Sequence, residues 1–434
     1  MKPTLLVTGA GPAGVTAAVG LHKLGYPVLL VSRPRRFAAI EGVSARVLQA
    51  LAQQGFTHAV AAVDSPGVRT VKWNAEQHAQ NQEWLVDRRR FDAALWQDAK
   101  AAGVPVLEAG VLRVVATAEG WQAVLDNSQI LQANFWIEAR GRSAPSGQES
   151  TRGPETISIL NRWPVPPSTS ATFIYSHAPG WVWAARLASG WGYWQYTLDG
   201  QHGAMPRKQE LSLFCHTQHQ HCSALRHLFP RGVPREFDIH VRAGTSIIQS
   251  AVCGLNWLRV GDASAAVDSL SGNGIFLALS SALQAPAVIN TLLDKPENAQ
   301  LAMAFHTQRI EHLFYRFARM GREFYSQETG HMNALFWQKR QQWPDAQESH
   351  SSEPAQAKLC KRSVIDGDYI VEREVVVTTD QPLGVWHIDG VALAPLIRRR
   401  MRQEPWQQIL AAYPAQTQAR LATWLQGLNL PTAT

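Results

Sequence analysis

The strongest constraint on this chain sits near its start, in TLLVTGAGPAG, residues 4–14. An apolar run meets Gly9, Gly11 and Gly14, a helix-compatible segment follows over 13–24, Gly25 stops it, and VLLV resumes as strand. Residues 4–31 therefore read as one βαβ unit. Each glycine has its own duty in such a turn. Gly9 permits the tight bend, Gly11 lets the backbone approach a pyrophosphate, and Gly14 lets helix and strand pack closely. Pro12 and Ala13 open a helix whose N-terminus attracts an anion.

The totals agree with a globular protein that keeps anionic company. With 434 residues there is room for two or three domains, and 45% hydrophobic with 17% charged residues argues against global disorder. The net charge of +7 and a pI near 9.4 favour a phosphate-bearing cofactor, an acidic partner or nucleic acid. The opening MKPTLLVTGAG has too short an apolar run for a signal-peptide core or a membrane span, so a cytoplasmic location without membrane association is expected. Four cysteines, sparse and unpatterned, are expected to be reduced thiols.

Beyond the first unit, a helix is expected over 44–54. Asp87 is expected to cap another, DRRRFDAALWQDAKAAG, with Phe91, Leu95 and Ala99 on one face. Short strands follow Gly103. Aromatic, β-prone sequence marks an inserted sheet domain over 156–240. Residues 255–293 return to strand, glycine turn and helix, and a striped helix is expected over 297–327. A linker is expected over 343–362. Beyond it strands and short helices make a small C-terminal α+β module, compatible with a winged-helix type.

A second glycine motif, LRVGDASAAVDSLSGNGI, lies far downstream after another apolar strand. Together with GAGPAG it resembles the FAD monooxygenases and tryptophan-halogenase-like flavoproteins. The resemblance implies an α/β protein: a Rossmann-like FAD-binding domain over 1–155 and 241–330, a β-rich substrate domain over 156–240, a helix end and linker over 331–362, and the module over 363–434. FAD is the implied cofactor. Asp262 would then hold a ribityl hydroxyl, and Gly272, Asn273 and Gly274 would present backbone N–H groups to the flavin edge. IEARGRSA from Ile137 resembles the turn before the substrate domain in that family. Arg88 matches the arginine of its Arg-x-x-Phe-Asp helix start, and Arg46 an arginine near the pyrophosphate of many hydroxylases. The acidic residue expected to hold the adenosine ribose is replaced by Ser32 and Arg33, which offers Arg33, Arg35 or Arg36 to phosphate instead.

The segment GWVWAAR resembles the halogenase WxWxIP motif through Trp181 and Trp183 but lacks its Ile-Pro. Ser271 stands where halogenases place a catalytic Glu, and Lys72 is the only nearby lysine, so halogenation is discounted. The resemblance is nearest to the flavoprotein monooxygenases of tryptophylquinone biogenesis, those of quinohemoprotein amine dehydrogenase maturation and their lysine- and glycine-oxidase relatives. It implies hydroxylation of a partner polypeptide's Trp through a C4a-hydroperoxyflavin. O2 is the co-substrate, and NAD(P)H or a separate flavin reductase supplies electrons. The alternatives are a hydroxylase or halogenase of a small free aromatic and, in another class, a flavin-bearing chaperone. No catalytic residue is assigned; Glu41, Trp183 and Trp194 are candidates, Glu41 being expected rather to cap the helix after it.

The two tryptophans belong to PGWVWAARLASGWGYWQYTL, residues 179–198. A two-residue turn at Ser189-Gly190 would set Trp183 opposite Tyr196 and Ala185 opposite Trp194, gathering the aromatics into one wall. Cys215, His219 and Cys222 in CHTQHQHC would share a helical face, but without a second ligand pair they read as a polar surface helix, and no metal is expected. RRRMR, residues 398–402, reads as a solvated helix face or a contact for an acidic protein, not as a nucleic-acid site.

Overall fold

The computed structural model describes residues 2–74, 76–147, 149–201, 205–350, 355–426 and 428–429. The opening unit forms as its pattern demands: β1 (Leu5–Thr8), α1 (Pro12–Lys23) and β2 (Val28–Ser32). Next come β3 (Ile40–Val43), α2 (Ala45–Gln54), β4 (Gly67–Trp73), β5 (Glu76–Asp87), α3 (Arg88–Ala101), β6 (Val106–Glu108) and, after a three-stranded meander, β7 (Phe135–Glu138). Asp87 caps α3 by accepting from the Arg89 amide at 2.8 Å, and Phe91, Leu95 and Ala99 are fully buried.

The next stretch supplies β8 (Thr156–Pro164), β9 (Ala171–His177), β10 (Gly180–Leu187), β11 (Trp191–Asp199), α4 (Leu211–His221), α5 (Ser223–Leu228), β12 (Asp238–Ala243) and β13 (Trp257–Arg259). Three helices follow: α6 (Gly274–Asp294), α7 (Ala299–Ser326) and α8 (Leu335–Gln342). Strands β13-β7-β1-β2-β6 lie parallel in that order in one sheet. Both faces of β1 are buried, which explains its unbroken apolar run. Among the described residues only α6 is long and apolar enough to cross a membrane, and its most apolar stretch is 72% buried inside the protein.

A second sheet has the order β12-β8-β11-β10-β9-β4-β5-β3. The sheet expected over 156–240 thus recruits three strands from the first hundred residues. The chain divides into two compact units, 1–286 with 310–347, and 287–309 with 348–434. The second contains β14 (Lys358–Asp366), β15 (Tyr369–Val377), α9 (Leu393–Met401), α10 (Trp406–Leu410) and α11 (Ala415–Gln426) around Val376, Leu396, Ile397 and Leu421. Here Arg398 and Arg399 pair with Glu374 and Glu404, so RRRMR is partly neutralised. The expected linker begins too early at residue 343: Trp343 packs on Phe314, and Asp345 accepts three bonds from Arg319. Residues 351–354 of it lie outside the described residues.

The aromatic hairpin differs from expectation by one residue. Leu187 pairs with Trp191 and Trp183 with Gln195, because the loop is Ala188-Ser189-Gly190, three residues long, with Gly190 at φ +88°. A three-residue loop ending in a left-handed residue is a common hairpin closure. The slip exchanges one strand's faces. Trp181, Trp183 and Tyr193 therefore share one face with Ala38, Ile40 and Leu270, whereas Trp194 and Tyr196 lie on the other, under α4 and α5.

That second face also absorbs the Cys/His motif. Cys215, His219 and Cys222 are buried there, the His219 ring edge-on to Trp194 at 4.6 Å and its Nε2 bonded to Asn161 Oδ1 at 2.9 Å. The reading as a polar surface helix is corrected; these residues form a core seam, and among the described residues no cluster suited to a metal occurs. Trp194→Ala should cost about 3–5 kcal/mol of stability in denaturant unfolding, with FAD retention unchanged in the folded fraction.

Candidate cofactor and active site

The turn after β1 is built by close contact. Gly9 has φ +103°, and a Cβ there would sit 2.4 Å from the Ala139 carbonyl oxygen. At Gly14 a Cβ would lie 1.8 Å from the Gly9 oxygen. Gly11 is different: its backbone is extended, and a Cβ would approach only the Arg88 guanidinium, at 3.9 Å. Pro12 and Ala13 open α1, no side chain caps that helix, and its first turn holds no carboxylate. Its N-terminal N–H groups and Arg88 thus bound one space suited to an anion.

Arg88, the first residue of α3, is buried. Its Nε donates to Asp92 at 3.0 Å and its Nη1 to Glu41, while Asp92 also accepts from Arg35 at 2.6 Å. Burial works against the Arg88 charge, but Asp92 and Glu41 outweigh it and hold the guanidinium above its ordinary basicity. Glu41 also lies 3.4 Å from where a Cβ would stand on Gly274, the first residue of α6. One ion-pair chain therefore joins the first glycine turn to the second. Glu41 does not cap α2, whose cap position is Ser44.

Asp262 follows β13 in a 3₁₀ turn. At Gly261, φ +60°, a Cβ would come within 2.8 Å of the Ala13 Cβ, so the turn lies against the start of α1. Burial raises the Asp262 carboxyl; Arg142, at 3.5 Å, opposes this and Glu41 adds to it. Next, Asp268 caps the turn 269–271 through the Leu270 amide at 2.9 Å, and Gly272 at φ +61° faces open space. The Asn273 side-chain amide donates to the Ser271 carbonyl.

Gly11, Arg88, Glu41, Asp262 and Gly274 are thus brought together, while other expected residues stand apart. Arg33 pairs with Asp126, which also accepts from the Gly110 amide at 3.0 Å, and the Ser32 hydroxyl turns to the Arg33 carbonyl. Arg46 is exposed, its guanidinium 5.9 Å from the centre of the Phe276 ring. Trp183 faces the side of the sheet that also holds Leu270; Trp194 faces away. Lys72 alternates with Val71 and Trp73, which face the Trp183 side, so it belongs to the opposite face.

Sequence reasoning missed two connectors. The Trp181 indole donates to the Tyr325 hydroxyl at 3.2 Å, and that hydroxyl donates to Asp268 at 3.1 Å. Asp268 was visible inside the second glycine motif, whereas nothing in the pattern around Tyr325 marked it. Asp92 stood in the sequence as the Asp of the Arg-x-x-Phe-Asp helix start, four residues from Arg88, but its second partner Arg35 was not marked there.

No family profile matches the chain. The tryptophan 2-halogenase of Chondromyces crocatus is 24% identical over 377 residues, 78% of this chain and 70% of its own. The structure of the flavin-dependent halogenase CmlS superposes with a TM-score of 0.76 at 16% identity, covering 98% of this chain and 95% of that one. The fold is therefore the one that flavin-dependent halogenases and monooxygenases share. A structure of the peptidyl tryptophan dihydroxylase QhpG, essential for tryptophylquinone cofactor biogenesis, superposes with a TM-score of 0.86 at 46% identity, over 99% of this chain and 100% of that one. The chain belongs to the QhpG family of flavoproteins.

The Asp262 carboxyl is raised, so its ionisation costs the folded protein when the cofactor is absent. Asp262→Asn should stabilise the FAD-free protein at neutral pH. The gain should shrink as pH falls through the raised value and vanish below the unfolded value of 3.8, where both states are protonated. The same variant should retain less FAD, read by flavin absorbance after gel filtration.

Proposed function

We propose that the chain is an FAD-dependent monooxygenase that hydroxylates the ring of a Trp residue in a partner polypeptide during tryptophylquinone maturation. The observation that carries this reading is the 46% identity to QhpG across essentially the whole of both chains. FAD fits the residues present. The uncapped α1 N-terminus, Gly11 and Arg88 would take the pyrophosphate, and the destabilised Asp262 carboxylate would accept a ribityl hydroxyl. Gly272, Asn273 and Gly274 would meet the flavin edge at a helix N-terminus. Ser32 and Arg33 would serve only the outer, adenosine end, whereas Arg46 stands by Phe276 beside the second glycine motif. Bound there, FAD supplies the redox chemistry that activates O2 for insertion into an electron-rich ring.

The remaining work falls to the chain. Glu41 holds Arg88 and borders Gly274, so it fixes the cofactor's surroundings and is not needed as a base. Trp181 and Tyr193, covered in one cluster with Tyr325, Phe336 and Trp337, back Trp183 in an apolar wall that would exclude water. Ser271 in place of a Glu, with Lys72 on the far face, supports oxygen insertion over halogenation. Electrons come from NAD(P)H directly or from a flavin reductase, and a cytoplasmic location belongs to the same reading.

The test supplies the FAD-loaded protein with reductant, O2 and a Trp-containing partner polypeptide. A mass gain on that Trp in steps of one oxygen is expected, and a chlorinated product or an unmodified polypeptide would overturn the reading. Trp183→Ala should raise the ratio of flavin oxidised to product formed while leaving FAD retention unchanged, measured as reductant consumed against hydroxylated peptide.

A further inference from the structure

The second sheet ends in a strand with an open edge. Among the described residues β12 pairs only with β8, from Ile157 opposite Ala243 to Arg162 opposite Asp238. Such an edge leaves one row of backbone N–H and C=O groups for another chain to pair with. Val241 is 43% exposed on one face of the strand. His240 and Arg242 lie on the other, the face that Leu160 shares with Trp183. The edge therefore borders the wall of the candidate active site.

Arg242 carries a charge that its surroundings balance only in part, Glu41 and Asp92 acting on it without direct contact. It donates to the Ala38 carbonyl and stands 4.3 Å from the centre of the exposed Phe37 ring. Arg35 flanks the same ring at 5.0 Å but is neutralised by Asp92. No carboxylate among the described residues pairs with Arg242, and its buried Nε–H has no acceptor. Burial, and next the Arg35 charge, lower its pKa to about 10. A half-buried, incompletely balanced guanidinium is stabilised by an incoming anion.

An acidic extended peptide answers these features together: its backbone fills the open edge, a carboxylate meets Arg242, and an apolar side chain covers Phe37 or Val241. We propose that the β12 edge, with Arg242 and Phe37, docks an acidic, extended segment of the partner polypeptide as one further strand of the sheet. The inference rests on the reading that the substrate is a polypeptide. It adds where that polypeptide is gripped and what its gripped segment must carry.

The experiment uses the FAD-loaded full chain and short synthetic peptides. One carries several Glu residues and a Trp in a β-prone sequence; its counterpart has Gln for every Glu. By fluorescence anisotropy the acidic peptide should bind more tightly, and Arg242→Gln should weaken it about tenfold, with the Gln peptide hardly affected. The acidic peptide N-methylated at alternate amides should lose affinity in one phase and keep it in the other, because only alternate amides face the sheet. Equal binding of both N-methylated forms would overturn strand addition. Arg242→Gln that reduces FAD retention, or raises KM for NAD(P)H while peptide affinity stays, would assign the guanidinium to the cofactor or the nucleotide and overturn the proposal. Binding is scored without turnover, so a docking peptide that is never hydroxylated would sink the hydroxylase reading alone.

Discussion

Arg88 between Asp92 and Glu41 is the interaction on which the site depends. A buried cation is tolerable only when carboxylates surround it, and these two come from different elements, one on the same helix and one on β3. Through Glu41 the guanidinium fixes the approach to Gly274, and through its own position it bounds the space before Gly11. Loss of Asp92 would free Arg35 as well, and loss of Glu41 would cut the link to Gly274. The glycine turns shape the backbone; this ion pair sets the distance between them.

The fold was readable where local pattern and tertiary demand coincide. The βαβ unit, the Asp87 cap and the buried stripe of α3 followed from apolar spacing and capping chemistry, because each is decided within a few residues. The glycines of both motifs were readable for the same reason: a positive φ or a blocked Cβ leaves no alternative at Gly9 or Gly261. What could not be read was pairing across distance. Nothing local says that Asp92 will also face Arg35, that Tyr325 will stand between Trp181 and Asp268, or that β4 will lie beside β9.

The hairpin failed for an instructive reason. Ser189-Gly190 suits a two-residue turn, yet one more residue in the loop gives Gly190 its left-handed conformation equally well. Period-two alternation converts that single residue into an exchange of faces. The Cys/His motif has the composition of a solvent face, yet the Asn161 amide gives His219 a partner inside the core.

The split of aromatics also leaves the hairpin without any side fit for water. Most strands of an antiparallel sheet can turn a polar face outward. Strands β10 and β11 have Trp183 and Tyr193 on one side and Trp194 and Tyr196 on the other. The short helices α4 and α5 are therefore obligatory cover, and their docking has to keep pace with sheet assembly. Until they arrive, the nascent sheet shows neighbouring chains an adhesive aromatic surface, so the protein's solubility while it folds depends on two helices remote from its chemistry.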